Sequence, residues 1–233
     1  MLIRALLSLL VALLFAGAVQ AGDLEDGVAA YDRKDYATAL AKFSSAAQQG
    51  SASAQFNLGL MYRIGQGVVQ DYALAVRWYQ LAAAQGYAAA QLNLGFMYAN
   101  GQGVAQDYAL AVRWYQLAAA QGYAAAQLNL GLRYDKGQGV VQDYAEAVRW
   151  YKLAAAQGNT QAQLNLGASY GKGEGVAQDY LRAHMWLNLA AVGGDELSIK
   201  NRDIVAAKMT PQQVAEAQKL ARECQARNFK NCD

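Results

Sequence analysis

The chain has 233 residues, of which 55% are apolar and 16% are charged, and it contains 49 alanines, 22 glycines and one proline. A charged fraction below the roughly 25% of an ordinary domain, together with this many apolar residues, excludes a disordered chain. The 20 basic and 18 acidic residues are spread along the sequence and give a net charge of +2, which excludes a basic face for nucleic acid. Abundant alanine and scarce proline favour an all-α fold.

The first 21 residues have the pattern of a secretory signal peptide. Arg4 precedes an apolar run over residues 5–18, and residues 19–21 (Val-Gln-Ala) form a small-residue cleavage pattern. We predict cleavage after Ala21, with residues 16–18 as a second candidate site. The alternative is an uncleaved anchor, but the run is shorter than the roughly 20 residues that a spanning helix needs. The sequence therefore predicts a periplasmic or secreted protein with no membrane span after cleavage.

Residues 22–50 are predicted to form an N-terminal helix pair like those of tetratricopeptide repeats. Tyr31 and Asp35 are separated by four positions, whereas Tyr62 and Asp71, which occupy the matching places further on, are separated by nine. The N-terminal pair therefore lacks the glycine-rich turn that the following units carry.

Residues 51–194 contain four repeats of 36 residues. Two residue types mark the period: Trp78, Trp114, Trp150 and Trp186, and Asp71, Asp107, Asp143 and Asp179. Residues 68–103 and 104–139 are identical at 31 of 36 positions, which indicates recent internal duplication. A repeat of this length is typical of solenoid proteins.

Each repeat is predicted to form two helices. The first runs from about Ala90 to Ala99 and ends at a turn containing Gly101 and Gly103, because glycine tolerates the positive φ of a helix stop. Asp107 is placed to cap the second helix. Gly95 and its equivalents lie inside the first helices, where we expect close contact with the alanine face of a neighbouring helix. Stacking of such pairs predicts a right-handed α-solenoid of antiparallel helix pairs.

Residues 195–233 lose the repeat and are predicted to be C-terminal capping helices. One helix is expected over residues 195–208, and Thr210, Pro211 and Gln213 predict a capping box at the start of the last. Cys224 and Cys232 are the only cysteines, and an even count in an exported protein predicts a disulfide. The alternative is two free thiols.

The repeat resembles the Sel1-like repeat, which is related to the tetratricopeptide repeat. The residues that carry the resemblance in the second unit are Ala90, Gln91, Asn93, Leu94, Gly95, Tyr98, Gly101, Gly103, Val104, Asp107, Tyr108, Ala111, Val112, Trp114, Tyr115, Ala118, Ala119, Gln121 and Gly122. The resemblance implies a scaffold for protein contacts, such as a periplasmic adaptor or regulator of envelope signalling. It also allows a secreted virulence factor that binds a host protein such as immunoglobulin A.

One cysteine-rich branch of the resembled family is described as penicillin-binding or β-lactamase-like. This chain departs from that branch because its repeats contain no cysteine. We find no motif for catalysis, a cofactor or a metal ion in the sequence and therefore predict no enzyme. The single histidine, His184, occupies the place of Val76, Val112 and Val148 and is interpreted as a helix-face substitution rather than a base.

The candidate partner surface lies on the first helices, in a groove expected on the concave side. Asparagines recur there as a ladder, and the positions around them vary between repeats. The predicted partner-binding residues are Asn57, Asn93, Asn129, Asn165, Phe96, Met97, Leu132 and Arg133. For the asparagines the alternative is hydrogen bonding between adjacent repeats, and for the methionine and phenylalanine positions it is core packing. The sequence leaves the partner's identity and the oligomeric state open.

Overall fold

A computed structural model describes residues 22–232, so the predicted signal peptide lies outside the described residues. The α-helices are, in chain order, α1 (residues 22–32), α2 (Tyr36–Gln48), α3 (Ala52–Ile64), α4 (Tyr72–Ala84), α5 (Ala88–Asn100), α6 (Tyr108–Ala120), α7 (Ala124–Lys136), α8 (Tyr144–Ala155), α9 (Thr160–Lys172), α10 (Tyr180–Ala190), α11 (Glu196–Ala206) and α12 (Pro211–Ala226). A short 3-10 helix follows α10, and residues 22–232 contain no strand. The predicted all-α fold of consecutive helix pairs is confirmed.

The helices divide between two compact units, one ending at Asp107 and the other beginning at Tyr108. The first unit has a core around Phe43, Leu58 and Met61, and the second has a core around Tyr151, Leu166 and Trp186. None of the helices within residues 22–232 is long and apolar enough to cross a bilayer.

Local signals in the sequence set the helix ends. The side chain of Asp71 accepts a hydrogen bond from the backbone N–H of Leu74 and so caps α4, and Asp143 caps α8 in the same way. The first helices end at a glycine in the left-handed region, such as Gly101 with φ 65°. Because α5 continues to Asn100 and begins at Ala88, it is longer at both ends than the predicted span from Ala90 to Ala99.

The second glycine of each turn lies against the preceding repeat. Gly139 has φ +76°, and a Cβ placed on it would lie 2.7 Å from the backbone nitrogen of Ala109, at the start of α6. Gly103 has φ +71°, and its Cβ would lie 2.6 Å from the backbone nitrogen of Ala73, at the start of α4. Only glycine satisfies both the backbone conformation and this approach.

In the first and third repeats the glycine inside the first helix packs mainly against an aromatic ring, and in the fourth repeat Gly167 packs against Leu187. A Cβ on Gly131 would lie 2.6 Å from the ring of Tyr151, and one on Gly59 would lie 2.6 Å from the ring of Tyr79. These tyrosines are fully buried in the second helix of the same repeat. The predicted close contact forms, and the alanine backbone takes part in it through the carbonyl oxygens of Ala147 and Ala183, but the nearest atoms belong to larger side chains that the prediction did not name.

Buried glutamines join successive helix pairs within each unit. The Nε2 atom of Gln91 donates to the carbonyl oxygen of Ala83 at 3.2 Å, and that of Gln127 donates to Ala119 at 3.3 Å. Both bonds reach the last turn of the preceding second helix, where the carbonyls lack a helical partner. The sequence shows that these glutamines recur in every repeat, but it did not predict that they join successive helix pairs.

The C-terminal segment packs on the last repeat. The capping box of Thr210 and Gln213 forms as predicted, and α12 packs against α10. The sulfur atoms of Cys224 and Cys232 lie 2.01 Å apart, which fits the predicted disulfide. The loop that they close places the ring of Phe229 3.0 Å from the position of a Cβ on Gly158, at the end of the third repeat.

Removing the disulfide is expected to destabilise this cap. In the chain-entropy account, a closed loop of about nine residues stabilises the folded state by roughly 2.5 kcal/mol. The double variant Cys224→Ser, Cys232→Ser should therefore lose about that much unfolding free energy in urea denaturation. The wild type in reducing agent should match the variant, and the variant itself should not respond to the reductant. An unchanged urea midpoint in both cases would show that the bridge is not part of the cap's stability.

Candidate protein-binding surface

The differences between the two nearly identical repeats cluster at one place. Residues 68–103 and 104–139 differ at five positions, and four of these lie in the last turn of the first helix. The four pairs are Phe96 and Leu132, Met97 and Arg133, Ala99 and Asp135, and Asn100 and Lys136. We call residues 60–64, 96–100, 132–136 and 168–172 the variable turns. Phe96 and Asn100 are exposed whereas Met97 and Ala99 are buried, so only the exposed side chains of this turn determine how one repeat's surface differs from the next.

The variable turn of α5 presents an apolar side chain to solvent. Phe96 is 39% exposed, and Asn100 beside it is also exposed. On α7 the corresponding Leu132 is partly exposed and Lys136 is exposed. Each of these two turns therefore offers an apolar group next to a polar one.

Met97 does not belong to this surface. It is fully buried, as is Met61 at the matching position of α3. Met97 lies three residues after Leu94 and so falls on the buried face of the helix. The prediction that Met97 lines a binding groove is wrong, and the alternative of core packing is correct for this residue.

Arg133 replaces this methionine in the third repeat. Its guanidinium lies 5.3 Å from the centre of the Tyr108 ring, and its Nη1 atom donates to the Oε1 atom of Gln138 at 2.6 Å. Burial raises the pKa of Tyr115 to about 12, and the nearby positive charge of Arg133 opposes this rise. Arg133 is thus held against α6 and the turn, with part of its side chain still exposed.

The next variable position places a side chain beside the buried tyrosine of its own repeat. The Tyr151 hydroxyl lies 3.5 Å from the Oδ2 atom of Asp135. Burial raises the pKa of this tyrosine, and the negative charge of Asp135 raises it further. In the first repeat the matching residue is Arg63: burial raises the pKa of Tyr79 to about 12, and the arginine's charge opposes the rise. The equivalent position thus carries a positive charge in the first repeat and a negative charge in the third, in each case beside the buried tyrosine of the second helix.

The asparagine ladder bonds mainly within its own helices. The Nδ2 atoms of Asn93 and Asn129 each donate at 2.8 Å to the carbonyl oxygen four residues earlier. Asn165 accepts a hydrogen bond from Gln161 at 3.1 Å. All four ladder asparagines, including Asn57, are partly exposed. The glutamines described above, rather than these asparagines, provide the bonds between helix pairs.

The tryptophans that mark the period have two environments. Trp78, Trp114 and Trp150 are partly exposed, whereas Trp186 is buried beneath the C-terminal segment. The fully buried aromatic residues of the first three repeats are instead Tyr79, Tyr115 and Tyr151. Of the other repeat markers, Gly95 is buried and Tyr98 is partly exposed.

His184 lies in the core of the second unit. It is 1% exposed, and its Nδ1 atom has no hydrogen-bond partner in the described part of the chain. Burial lowers its pKa, the charge of Arg202 lowers it further, and the charge of Asp203 acts in the opposite direction. Across residues 22–232, the His, Cys, Asp and Glu side chains form no group of three that could hold a metal ion.

This histidine should make stability depend on pH. Its folded-state pKa is below the unfolded value of about 6.5, so the unfolded chain takes up the proton first, and stability falls as the pH drops from 7 towards 5. His184→Val, which restores the residue of the other repeats, should flatten this dependence. At pH 7 the unfolding free energy of the variant should stay within about 1 kcal/mol of wild type. The smaller valine side chain loses packing contacts, but its substitution also removes a buried nitrogen that has no hydrogen-bond partner.

The measurement is urea denaturation of both proteins at pH 7, 6 and 5. His184 is the only histidine, so no other side chain of its type titrates in this window. Equal loss of stability in wild type and variant would contradict the assignment to His184.

Comparison with known proteins agrees with this arrangement. The Sel1 repeat pattern matches residues 52–87, 88–123, 124–159 and 160–195. The Sel1 repeat protein from Oxalobacter formigenes is 33% identical, with 87% of this chain and 84% of that chain covered and a TM-score of 0.75. No curated protein matches the chain.

A second similar structure is c5321, a protective antigen present in uropathogenic Escherichia coli strains. It is 29% identical over 91% of this chain, with a TM-score of 0.60. The match covers 54% of c5321, so this chain spans about half its length. Sel1 repeat proteins are generally scaffolds for protein interaction and are generally non-catalytic. The four matched repeats and the similar structure from Oxalobacter formigenes show that the chain belongs to the Sel1 repeat family.

Proposed function

We propose that the protein is an exported, non-catalytic scaffold that binds another protein through its variable turns. The observation that carries the proposal is the clustering of repeat differences in these turns, where Phe96 is exposed. Solenoid proteins bind along surfaces built from equivalent positions of successive repeats, and the varying residues determine what is bound. An adaptor or regulator in the bacterial envelope is the role that best combines this surface with the predicted signal peptide.

The binding surface is tested by capture from an envelope extract with the purified mature protein. Phe96→Ser and Lys136→Glu should each reduce recovery of the same partner at least tenfold. Leu117→Ser is the matched control, because Leu117 is similarly exposed but lies on the second helix α6. Circular dichroism should show that all variants remain folded. A partner that is lost with the control and kept with Phe96→Ser would contradict the proposed surface.

Export is tested separately by fractionation and N-terminal sequencing. The mature protein is expected in the periplasm and should begin at Gly22, since we predict cleavage after Ala21. A protein recovered in the cytoplasm with Met1 still present would overturn the proposed export.

A second candidate is a secreted protein that binds a host protein. The similarity to c5321, which is described as a protective antigen, supports it. Recovery from the culture medium rather than the periplasm would favour this candidate. A penicillin-binding or β-lactamase-like activity has no such support, and we expect no nitrocefin hydrolysis by the purified protein.

A further inference from the structure

A cavity of about 280 Å³ lies between α9 and α11 in the second unit. Ala168 and Gly171 line it from α9, Leu187 lines it from α10, and Ile204 and Val205 line it from α11. Its volume is just below the roughly 300–1,000 Å³ of small-molecule sites. It is large enough for one bulky side chain of another protein.

Small residues specific to the fourth repeat open this cavity. The position of Ala168 is occupied by leucine or phenylalanine in the other three repeats, and that of Gly171 by arginine, alanine or aspartate. Packing does not require a glycine at position 171, since a Cβ on Gly171 would lie 3.6 Å from its nearest neighbour, an ordinary van der Waals distance. A glycine inside a helix costs about 1 kcal/mol relative to alanine, so Gly171 keeps the space open at some expense of stability.

The apolar side of the cavity is exposed to solvent. Ile204 is 51% exposed, although it lies on a helix that packs against α10 and α9. In the first, third and fourth repeats the second helix packs on its own first helix, whereas α12 packs on α10. This face of α11 is therefore available to a segment from another protein.

The edge of the cavity is positively charged. Lys172 and Lys208 line it together with Asn201, and no carboxylate belongs to the described lining. The Nζ atom of Lys208 lies 5.2 Å from the centre of the Tyr180 ring. Lys172 lies 3.2 Å from Glu174 in an exposed ion pair, and such a pair contributes at most about 1 kcal/mol. Both ammonium groups can therefore meet carboxylates of a bound segment.

We propose that the α9–α11 cavity binds an acidic segment of the partner protein that inserts one large apolar side chain between the two helices. The apolar side chain contacts Leu187, Ile204 and Val205, and flanking carboxylates lie near Lys172 and Lys208. This inference deepens the proposed scaffold function and rests on it, because it names the chemistry of a segment that the scaffold recognises.

The test uses three labelled nonapeptides and the mature protein. The first has phenylalanine at its centre with two acidic residues on each side; the second replaces this phenylalanine by alanine, and the third replaces the acidic residues by lysine. Fluorescence anisotropy measures affinity, and methyl NMR spectra locate the contact. Only the first peptide should bind, with shifts at the methyl groups of Leu187, Ile204 and Val205 and weaker affinity at high salt.

Two variants make the test specific. Ala168→Phe introduces the residue that the second repeat carries here and should lower affinity at least tenfold by filling the cavity. Leu117→Phe, which adds a ring at an exposed position of α6 outside both the cavity and the variable turns, is the control and should leave affinity unchanged. Lys172→Glu with Lys208→Glu should also lower affinity at least tenfold. Equal binding of the lysine peptide, or wild-type affinity in Ala168→Phe, would overturn the inference, as would no binding of the first peptide.

The same variants separate this inference from the proposed function. A natural partner that depends on Phe96 but binds equally to Ala168→Phe would contradict the cavity and leave the scaffold function intact. Loss of the natural partner in Ala168→Phe, with retention in Leu117→Phe, would support both.

Discussion

Replacing Gly139 by alanine should lower the free energy of unfolding by roughly 3–5 kcal/mol. Two costs combine in this estimate of the loss. The residue has φ +76°, and its new Cβ would overlap the backbone at the start of α6. Because the turn cannot move away without separating two helix pairs, the structure must either strain or lose this contact.

Gly122→Ala is the matched control for this prediction. Gly122 has φ +82°, but no atom lies within 4 Å of the position of its Cβ. It should lose only about 1–2 kcal/mol, the cost of the left-handed conformation. Urea denaturation of both variants gives the comparison. Equal losses would show that the contact between turn and helix contributes little to holding the repeats together.

Gly131→Leu should be similarly damaging, with an expected loss of about 3 kcal/mol or more. A Cβ on Gly131 already meets the ring of Tyr151 at 2.6 Å and the carbonyl oxygen of Ala147 at 3.2 Å. A leucine would force α7 away from α8 or displace a fully buried tyrosine.

The control is Gly171→Leu, the same change in a first helix where space is available. The α9–α11 cavity can receive this side chain, so its stability should stay within about 1 kcal/mol of wild type, because improved helix propensity offsets small packing changes. Thermal and urea unfolding measure both. If Gly131→Leu unfolds like wild type, Gly131 does not set the separation of the helices.

The repeated residues made the fold predictable from the sequence. Aspartates before the second helices and glycines after the first are local signals whose effect depends on the neighbouring backbone, so Asp71 and Gly101 could be assigned correctly. Their recurrence every 36 residues then implied stacking of helix pairs.

Contacts between helices were harder to predict. The pairing of Gly131 with a tyrosine ring, and the bond from Gln127 to Ala119, depend on how two helices are placed side by side. Helical spacing alone does not determine this placement. The 36-residue recurrence of glutamine was the available signal for its structural role.

The candidate surface was predicted only in part. Phe96 lies at the edge of the buried face and is exposed, whereas Met97, its neighbour, is buried. Successive side chains on a helix point in directions about 100° apart. Variation between repeats therefore identified the right turn but not which of its side chains reach solvent. The α9–α11 cavity could not be predicted, because it depends on where α11 packs after the repeat pattern ends.

Site-specific photocrosslinking tests the central claim most directly. A photoreactive phenylalanine analogue is placed at Phe96 or Leu132 in the variable turns, and at Leu81 or Leu117 on the second helices, in cells that make the protein. We expect the first two positions to crosslink to one and the same protein and the last two to give no such product. Crosslinks to that protein from Leu81 and Leu117, with none from Phe96 and Leu132, would contradict the claim that the variable turns are the binding surface.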